Sequence, residues 1–256
     1  MLVAPPVPSG VVGLVPSAFV AGVYLVSGIR SRSVMCVMIV AHAHPRFPTP
    51  FGWRSYLGVH IPVRMAAAAP TRSADPVSPS KEDLEAARDR TIPDVLGPDL
   101  DVVFVGINPG LWSGAVGHHF ARPGNRFWKA LHGSGFTDRL VPPLEDASLL
   151  GWNLGLTNLV ARTTATADEL VAEEIRRGAV ELEARLEPFR PRFVAMLGIG
   201  AYRTGFGRRD ASLGPQEDDL GGARLWVLPN PSGLNAHYQL DDLVQRFQAL
   251  RDAVAE

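Results

Sequence analysis

Between Gly106 and Trp128 the chain reads GINPGLWSGAVGHHFARPGNRFW, a glycine-rich stretch without a single Asp, Glu, Lys or Cys. Its reactive candidates are Asn108 and the histidines His118 and His119. An amide does not titrate near neutral pH, so Asn108 cannot act as a strong general base. It can accept and donate hydrogen bonds, and so can hold a water molecule or a polar substrate edge. A site built on it forgoes a general base, which is typically worth ~10²–10⁴ in rate. Slow chemistry on a substrate with a good leaving group is therefore expected. As a plain turn residue, Asn108 would need no chemistry, because Asn-Pro commonly starts turns. Adjacent histidines in a loop rarely converge on one ion, and no third ligand has suitable spacing, so no metal site is expected. The stretch also lacks the G-K-[ST] ending of a P-loop and the G-x-G-x-x-G of a dinucleotide fold.

These residues need elements to position them. "DVVFVG", from Asp101 to Gly106, is an apolar run bounded by Asp and Gly and reads as a buried strand. "LGLTNLV" (Leu154 to Val160), "RFVAMLG" (Arg192 to Gly198) and "ARLWVLPN" (Ala223 to Asn230) read likewise. Between them lie helical patterns. "NRFWKALHGSG" puts Phe127, Ala130 and Leu131 on one face. "TADELVAEEIRRGAVELEARLEPF" is expected to be one long amphipathic helix, capped by Thr166 and Glu169 and ended by Pro188. The last helix places Leu240, Leu243, Val244, Phe247 and Leu250 together. Strands apolar throughout and alternating with helices imply an α/β fold, a three-layer α/β/α sandwich around a mainly parallel sheet of four or five strands. Ligands bind such sheets beyond the carboxyl ends of the strands. Two polar loops leave at that edge, "GINPG" after the first strand and "NPSGLNAHY" after the last.

The 256 residues carry a net charge of −1, which gives no global positive field, so a nucleic-acid partner would need a local basic patch. One cysteine, Cys36, excludes an internal disulfide framework and a cysteine-held zinc or iron–sulfur site, and fits a reducing compartment. Residues 1–90 read as a low-order N-terminal extension, rich in Pro, Ala, Val, Gly and Ser. "VVGLVPSAFVAGVYLVSG" (Val11 to Gly28) is long enough to suggest a membrane span, but Pro16 and three glycines weaken it. The segment from Met65 looks like an ordinary flexible start, so residues 1–64 fit sequence translated from an early start codon. Order is expected from Ser80, with Asp83 completing a loose capping box. The catalytic domain is expected over 91–256.

"GINPG", "GHHFARPGNRFWKALHGSGFT" and "WVLPNPSGLNAHY", with "GLTNLVART" and "MLGIGAYRTGF" between them, closely resemble the mismatch-specific uracil/thymine DNA glycosylases of the uracil-DNA glycosylase superfamily. The resemblance runs from about Asp101 to the C-terminus, and several motifs in order make it specific. Classical uracil glycosylases resemble one another through a water-activating Asp in "GQDPYH", where this chain has Asn108, and a His where it has Asn230. The single-strand-selective type usually has His-Pro-Ser in the second loop. The iron–sulfur types need four cysteines.

The resemblance implies flipping of a base from double-stranded DNA with G·U or G·T mismatches and hydrolysis of its N-glycosidic bond, initiating base-excision repair. Asn108 would hold the water. Backbone N–H groups around Ile107 and Phe120 would bind the base carbonyls, and the Phe120 ring would stack on the base. Ser113 matches a pocket-side polar position. Asn158 replaces a Lys found in some members, and an amide there could hydrogen-bond the uracil edge and favour uracil over thymine. Gly233 and Leu234 match the wedge that fills the gap in the stack, with Asn230, Ser232, Asn235 and His237 as further DNA contacts. Asn235 and Ala236 stand where members carry an Arg near the wedge. No cofactor and no metal is implied, and a cytoplasmic monomer is expected, with no membrane attachment.

Arg122, Arg126 and Lys129, and the cluster Arg203, Arg208 and Arg209, are the local positive charges that phosphates could use. Trp128 and Trp152 read as core residues, and the carboxylates of "TADELVAEEI" as the solvated face of a helix. A different class of function also fits the motifs: a protein that binds mismatches or damage with little catalysis.

Overall fold

A computed structural model describes residues 78–256. The expectations for the apolar runs before residue 78, and for a start at Met65, lie outside the described residues. Within them, no helix is long and apolar enough to cross a membrane.

Five strands form one sheet: β1 (Val102–Gly106), β2 (Leu154–Asn158), β3 (Phe193–Leu197), β4 (Gly214–Leu220) and β5 (Ala223–Leu228), in the order β2-β1-β3-β5-β4. All neighbours are parallel except β4, which runs antiparallel to β5 at the edge. The first three strands are buried along their whole length because helices cover both faces. Alternate residues divide between two cores. Val102, Phe104, Leu156, Ala195 and Leu228 point to the side covered by α3 (Phe127–Gly133) and α6 (Leu240–Ala255). Val103, Val105, Val194, Met196 and Val227 point to α4 (Ala172–Leu186) and α5 (Ile199–Gly205). This is the expected α/β/α sandwich. Fully burying one such Phe or Leu contributes roughly 1.5–3 kcal/mol. Phe104 anchors the first core, stacked on Phe247 at 5.6 Å and edge-on to Phe127 at 5.5 Å.

Several local expectations change. The edge strand β4, GPQEDDL, carries no apolar run. Its residues alternate between half-buried and exposed, which suits an edge whose outer face meets water. The long helix expected from Thr166 is two pieces. Glu169 does complete a capping box with Thr166, but it closes only a short 3₁₀ turn, accepting from the N–H groups of Ala165 and Thr166. Leu170 is then extended and buried, and the chain starts again when Glu174 accepts from the Val171 N–H at 3.0 Å. Two start signals lie in tandem, and the second begins α4.

The glycine-rich stretch after β1 also holds a short helix, α2 (Leu111–Val116), and a ten-residue 3₁₀ segment runs over Pro143–Trp152. Ser80 and Asp83 cap α1 (Lys81–Ala86) reciprocally, as expected. Residues 81–90, which composition groups with the extension, fold onto the sheet domain. The Asp89 N–H donates to Thr163 O, and the Thr163 N–H donates to Arg90 O.

Candidate active site

A cleft of about 380 Å³ opens at the carboxyl edge of the sheet. Its lining includes Ile107, Asn108, Ser113, Phe120 and Asn158 from one side, and Asn230, Ser232, Leu234 and Asn235 from the other. Parallel pairing of β1, β2, β3 and β5 is what brings loops more than a hundred residues apart to one edge.

Asn108, half-buried, stands just beyond β1. Its Nδ2 donates to Thr164 Oγ1 at 2.7 Å, to Arg162 O at 3.0 Å and to Pro109 O at 3.3 Å. Two of these partners are carbonyls. The third, Thr164 Oγ1, gives its own hydrogen to Thr166 O at 2.7 Å and therefore accepts from Asn108. Three acceptors around one end of the amide fix that end as NH₂. Oδ1 is left without a partner among the described residues, in the wall of the cleft.

Phe120 sits in the next turn of the wall. Its backbone is left-handed, with φ 52°, an uncommon conformation for an aromatic residue. Its neighbours hold it there. The His119 N–H donates to Asp146 Oδ2 at 3.0 Å, and the Ala121 N–H donates to Ser113 Oγ at 3.1 Å. The Phe120 N–H between them has no partner among the described residues. One ring face stacks on Phe127 at 4.2 Å, while the residue also lines the cleft. Ser113 thus lines the cleft but uses its hydroxyl oxygen to shape the Phe120 turn.

His119 is only 1% exposed and Asn158 4%. His119 Nε2 lies 3.0 Å from Pro93 O, and its Nδ1 lies 3.4 Å from Asn158 Nδ2. Burial pushes the imidazole below its ordinary value, against the pull of the Pro93 carbonyl and of Asp146 and Asp94. Asn158 reaches the cleft over Gly106. A Cβ there would lie 2.5 Å from Asn158 Oδ1 and 3.3 Å from the Phe120 ring, so only glycine lets both groups approach the strand.

The second loop is folded by its own amides and by Arg126. Asn230 Oδ1 accepts from the Ser232 N–H, Ser232 Oγ from the Leu234 N–H and Asn235 Oδ1 from the His237 N–H. Arg126 donates to the carbonyls of Ser232, Asn235 and Tyr238, and its own N–H donates to Pro231 O. Gly233 lies against Gly124, where a Cβ would be 2.6 Å from the Gly124 oxygen. Leu234 is left 72% exposed at the cleft rim, and His237 is exposed beyond it.

A family model for the uracil DNA glycosylase superfamily matches residues 93–254. The chain belongs to that superfamily. Its members are glycosylases that hydrolyse N-glycosidic bonds. The chain is similar to a solution NMR structure, from Methanosarcina acetivorans, provisionally described as a uracil DNA glycosylase. That match has 20% identity and a TM-score of 0.42, and covers 64% of this chain and 98% of the other.

In this glycosylase superfamily domain the cleft gathers all eleven residues singled out from the sequence except Gly233 and His237, which flank it. Other expectations are revised. Of the six cations considered for phosphates, Arg126 is committed to loop carbonyls, Arg203 donates to Ala211 O and Arg208 pairs with Asp218 at 2.6 Å. Arg122 lines the cleft. Asp168, expected on a solvated helix face, is exposed on the 3₁₀ turn and also lines the cleft. Trp128 is buried and donates to His119 O, and Trp152 packs half-buried against the same core. Among the described residues no three His, Cys, Asp or Glu side chains gather as a metal site.

Sequence reasoning missed Thr164, the Arg162 carbonyl, Asp146 and the setting of His119. Thr164 and Arg162 stand in "GLTNLVART", but nothing in residue type distinguishes them. Asp146 lies in a 3₁₀ segment with no pattern of its own.

Proposed function

We propose that this chain is a monofunctional DNA glycosylase that flips uracil out of mispairs with guanine in double-stranded DNA and cuts its glycosidic bond. Thymine and ethenocytosine are further candidate bases. The observation that carries the reading is the fixed polarity of Asn108, whose three acceptor partners leave a lone-pair oxygen for a water molecule.

In this reading the mispair opens first, at a cost of a few kcal/mol that is smallest where pairing is already poor. Leu234 fills the vacated space in the stack. The base lies along Phe120, and the Phe120 N–H donates to one of its carbonyls. Asn108 Oδ1 accepts a hydrogen from water and aims the water oxygen at the sugar C1′. The C1′–N1 bond breaks with its electron pair going to the base, the water oxygen bonds C1′, and the water proton passes to solvent. A uracil anion is a stable leaving group, so a neutral amide suffices, though slowly. All named groups belong to one chain, so a monomer is sufficient.

The test is single-turnover excision on a G·U duplex with enzyme in excess. Abasic product from the native chain, and about 10²-fold less from Asn108→Ala, is expected from a lost positioning group. No abasic product from the native chain rejects this reading in favour of a protein that only binds mismatches.

A further inference from the structure

We infer that His119 is the positioning residue that decides which end of the Asn158 amide faces the base pocket, and so makes the pocket complementary to uracil and not to cytosine. The inference rests on the uracil-excision reading and deepens it.

Pro93 O can only accept, so His119 Nε2, 3.0 Å away, must carry a hydrogen. A neutral ring protonated at Nε2 has a bare lone pair at Nδ1. Asn158 faces that lone pair at 3.4 Å, and must offer it the NH₂ end of its amide. Asn158 Oδ1 is then the end turned over Gly106, beside Phe120, where it has no partner among the described residues. The pocket therefore presents an acceptor. Uracil carries N3–H on its pairing edge and satisfies it. Cytosine carries a lone pair at N3 and would face the oxygen with another acceptor. A free amide could turn end for end and accept either base. The His119 ring cannot turn to oblige, because it is buried and its Nε2 is tied to Pro93 O.

A purely structural role for His119 would alter affinity for both bases alike. The inference is therefore tested by a ratio. Duplexes carry 2′-fluoro-deoxyuridine or 2′-fluoro-deoxycytidine, which resist cleavage, opposite an abasic analogue, so that neither base has a pair to break. The full chain is measured at about pH 8, well above the imidazole range. The native chain is expected to favour uracil by about 10-fold or more. His119→Phe, which removes the acceptor, is expected to bring the ratio close to one. His119→Asn, which can keep an acceptor oxygen near the Nδ1 position, is expected to retain part of the preference. Nitrogen NMR of the native chain reads the tautomer without any substitution, and a hydrogen at Nε2 with none at Nδ1 is expected.

A hydrogen at Nδ1, or an undiminished ratio in His119→Phe, overturns the inference. So does a native chain that excises uracil from G·U but binds both bases equally. Failure of the broader reading looks different, since the native chain would then leave the G·U duplex intact.

Discussion

Asn108 Nδ2 donates to Thr164 Oγ1 at 2.7 Å, joining the end of β1 to a loop 56 residues further along the chain. The bond makes a side chain that sequence reading passed over the partner of the central amide. Thr164→Val removes the acceptor and keeps the shape. With a typical hydrogen bond contributing about 1 kcal/mol, single-turnover excision of uracil is expected to slow roughly 5-fold, with Thr164→Ser restoring it. Equal rates for the valine and serine variants would show that the bond does not orient Asn108.

Gly106 lets Asn158 and Phe120 meet over the strand. Gly106→Ala places a methyl group within 2.5 Å of the Asn158 oxygen, inside a fully buried strand. Overpacking of this kind costs roughly 1–3 kcal/mol. Urea denaturation should show a lower midpoint, and excision should fall further than the stability loss explains. A variant as stable and active as the native chain would mean that both side chains can move aside freely.

Arg126 and Arg122 should separate by salt. Arg126 is bound to three loop carbonyls, whereas Arg122 lines the cleft and its guanidinium makes no hydrogen bond among the described residues. Arg122→Ala is expected to reduce the dependence of DNA affinity on salt by about one unit of slope. Arg126→Met is expected to weaken binding by loosening the Leu234 loop while the slope stays the same. Titrations at several salt concentrations check both, and a reduced slope in Arg126→Met would return that residue to the phosphate contacts.

The support beneath Asn108 should be sensitive to acid. Arg162, whose carbonyl accepts from Asn108, holds Glu174 through Nε at 2.6 Å and Nη2 at 3.0 Å. The Arg162 guanidinium, and then the Val171 N–H, lower the Glu174 carboxyl from 4.5 to about 2. The folded value lies below the unfolded one, so the contribution is fully present above about pH 4.5 and disappears as pH falls toward about 2. Glu174→Gln should be less stable than the native chain at neutral pH and should lose less on acidification through that window. Urea midpoints across pH measure this, and parallel curves for the two proteins would refute it.

Much of this molecule is legible in its sequence because the relevant signals are local. An apolar run flanked by Asp and Gly, as in Asp101 to Gly106, is too short for a typical helix and reads as a strand covered on both faces. Alternation of such runs with helices sets a parallel sheet, and a parallel sheet puts Asn108 and Leu234 at one edge. The motifs around Asn108, Phe120 and Asn230 carry the superfamily without any coordinates.

What the tertiary structure alone decides is orientation. An amide has two ends of nearly the same shape, and only its neighbours choose between them. Thr164, Arg162 and Pro109 choose for Asn108, and His119, itself set by Pro93, chooses for Asn158. Apart from Pro109, these partners lie tens of residues away in sequence and contribute carbonyls, a hydroxyl or a tautomer that residue type does not announce. Arg126 gives the same lesson in charge. Its position reads as a cation free for DNA, but the fold turns it inward to carry the loop that bears Leu234.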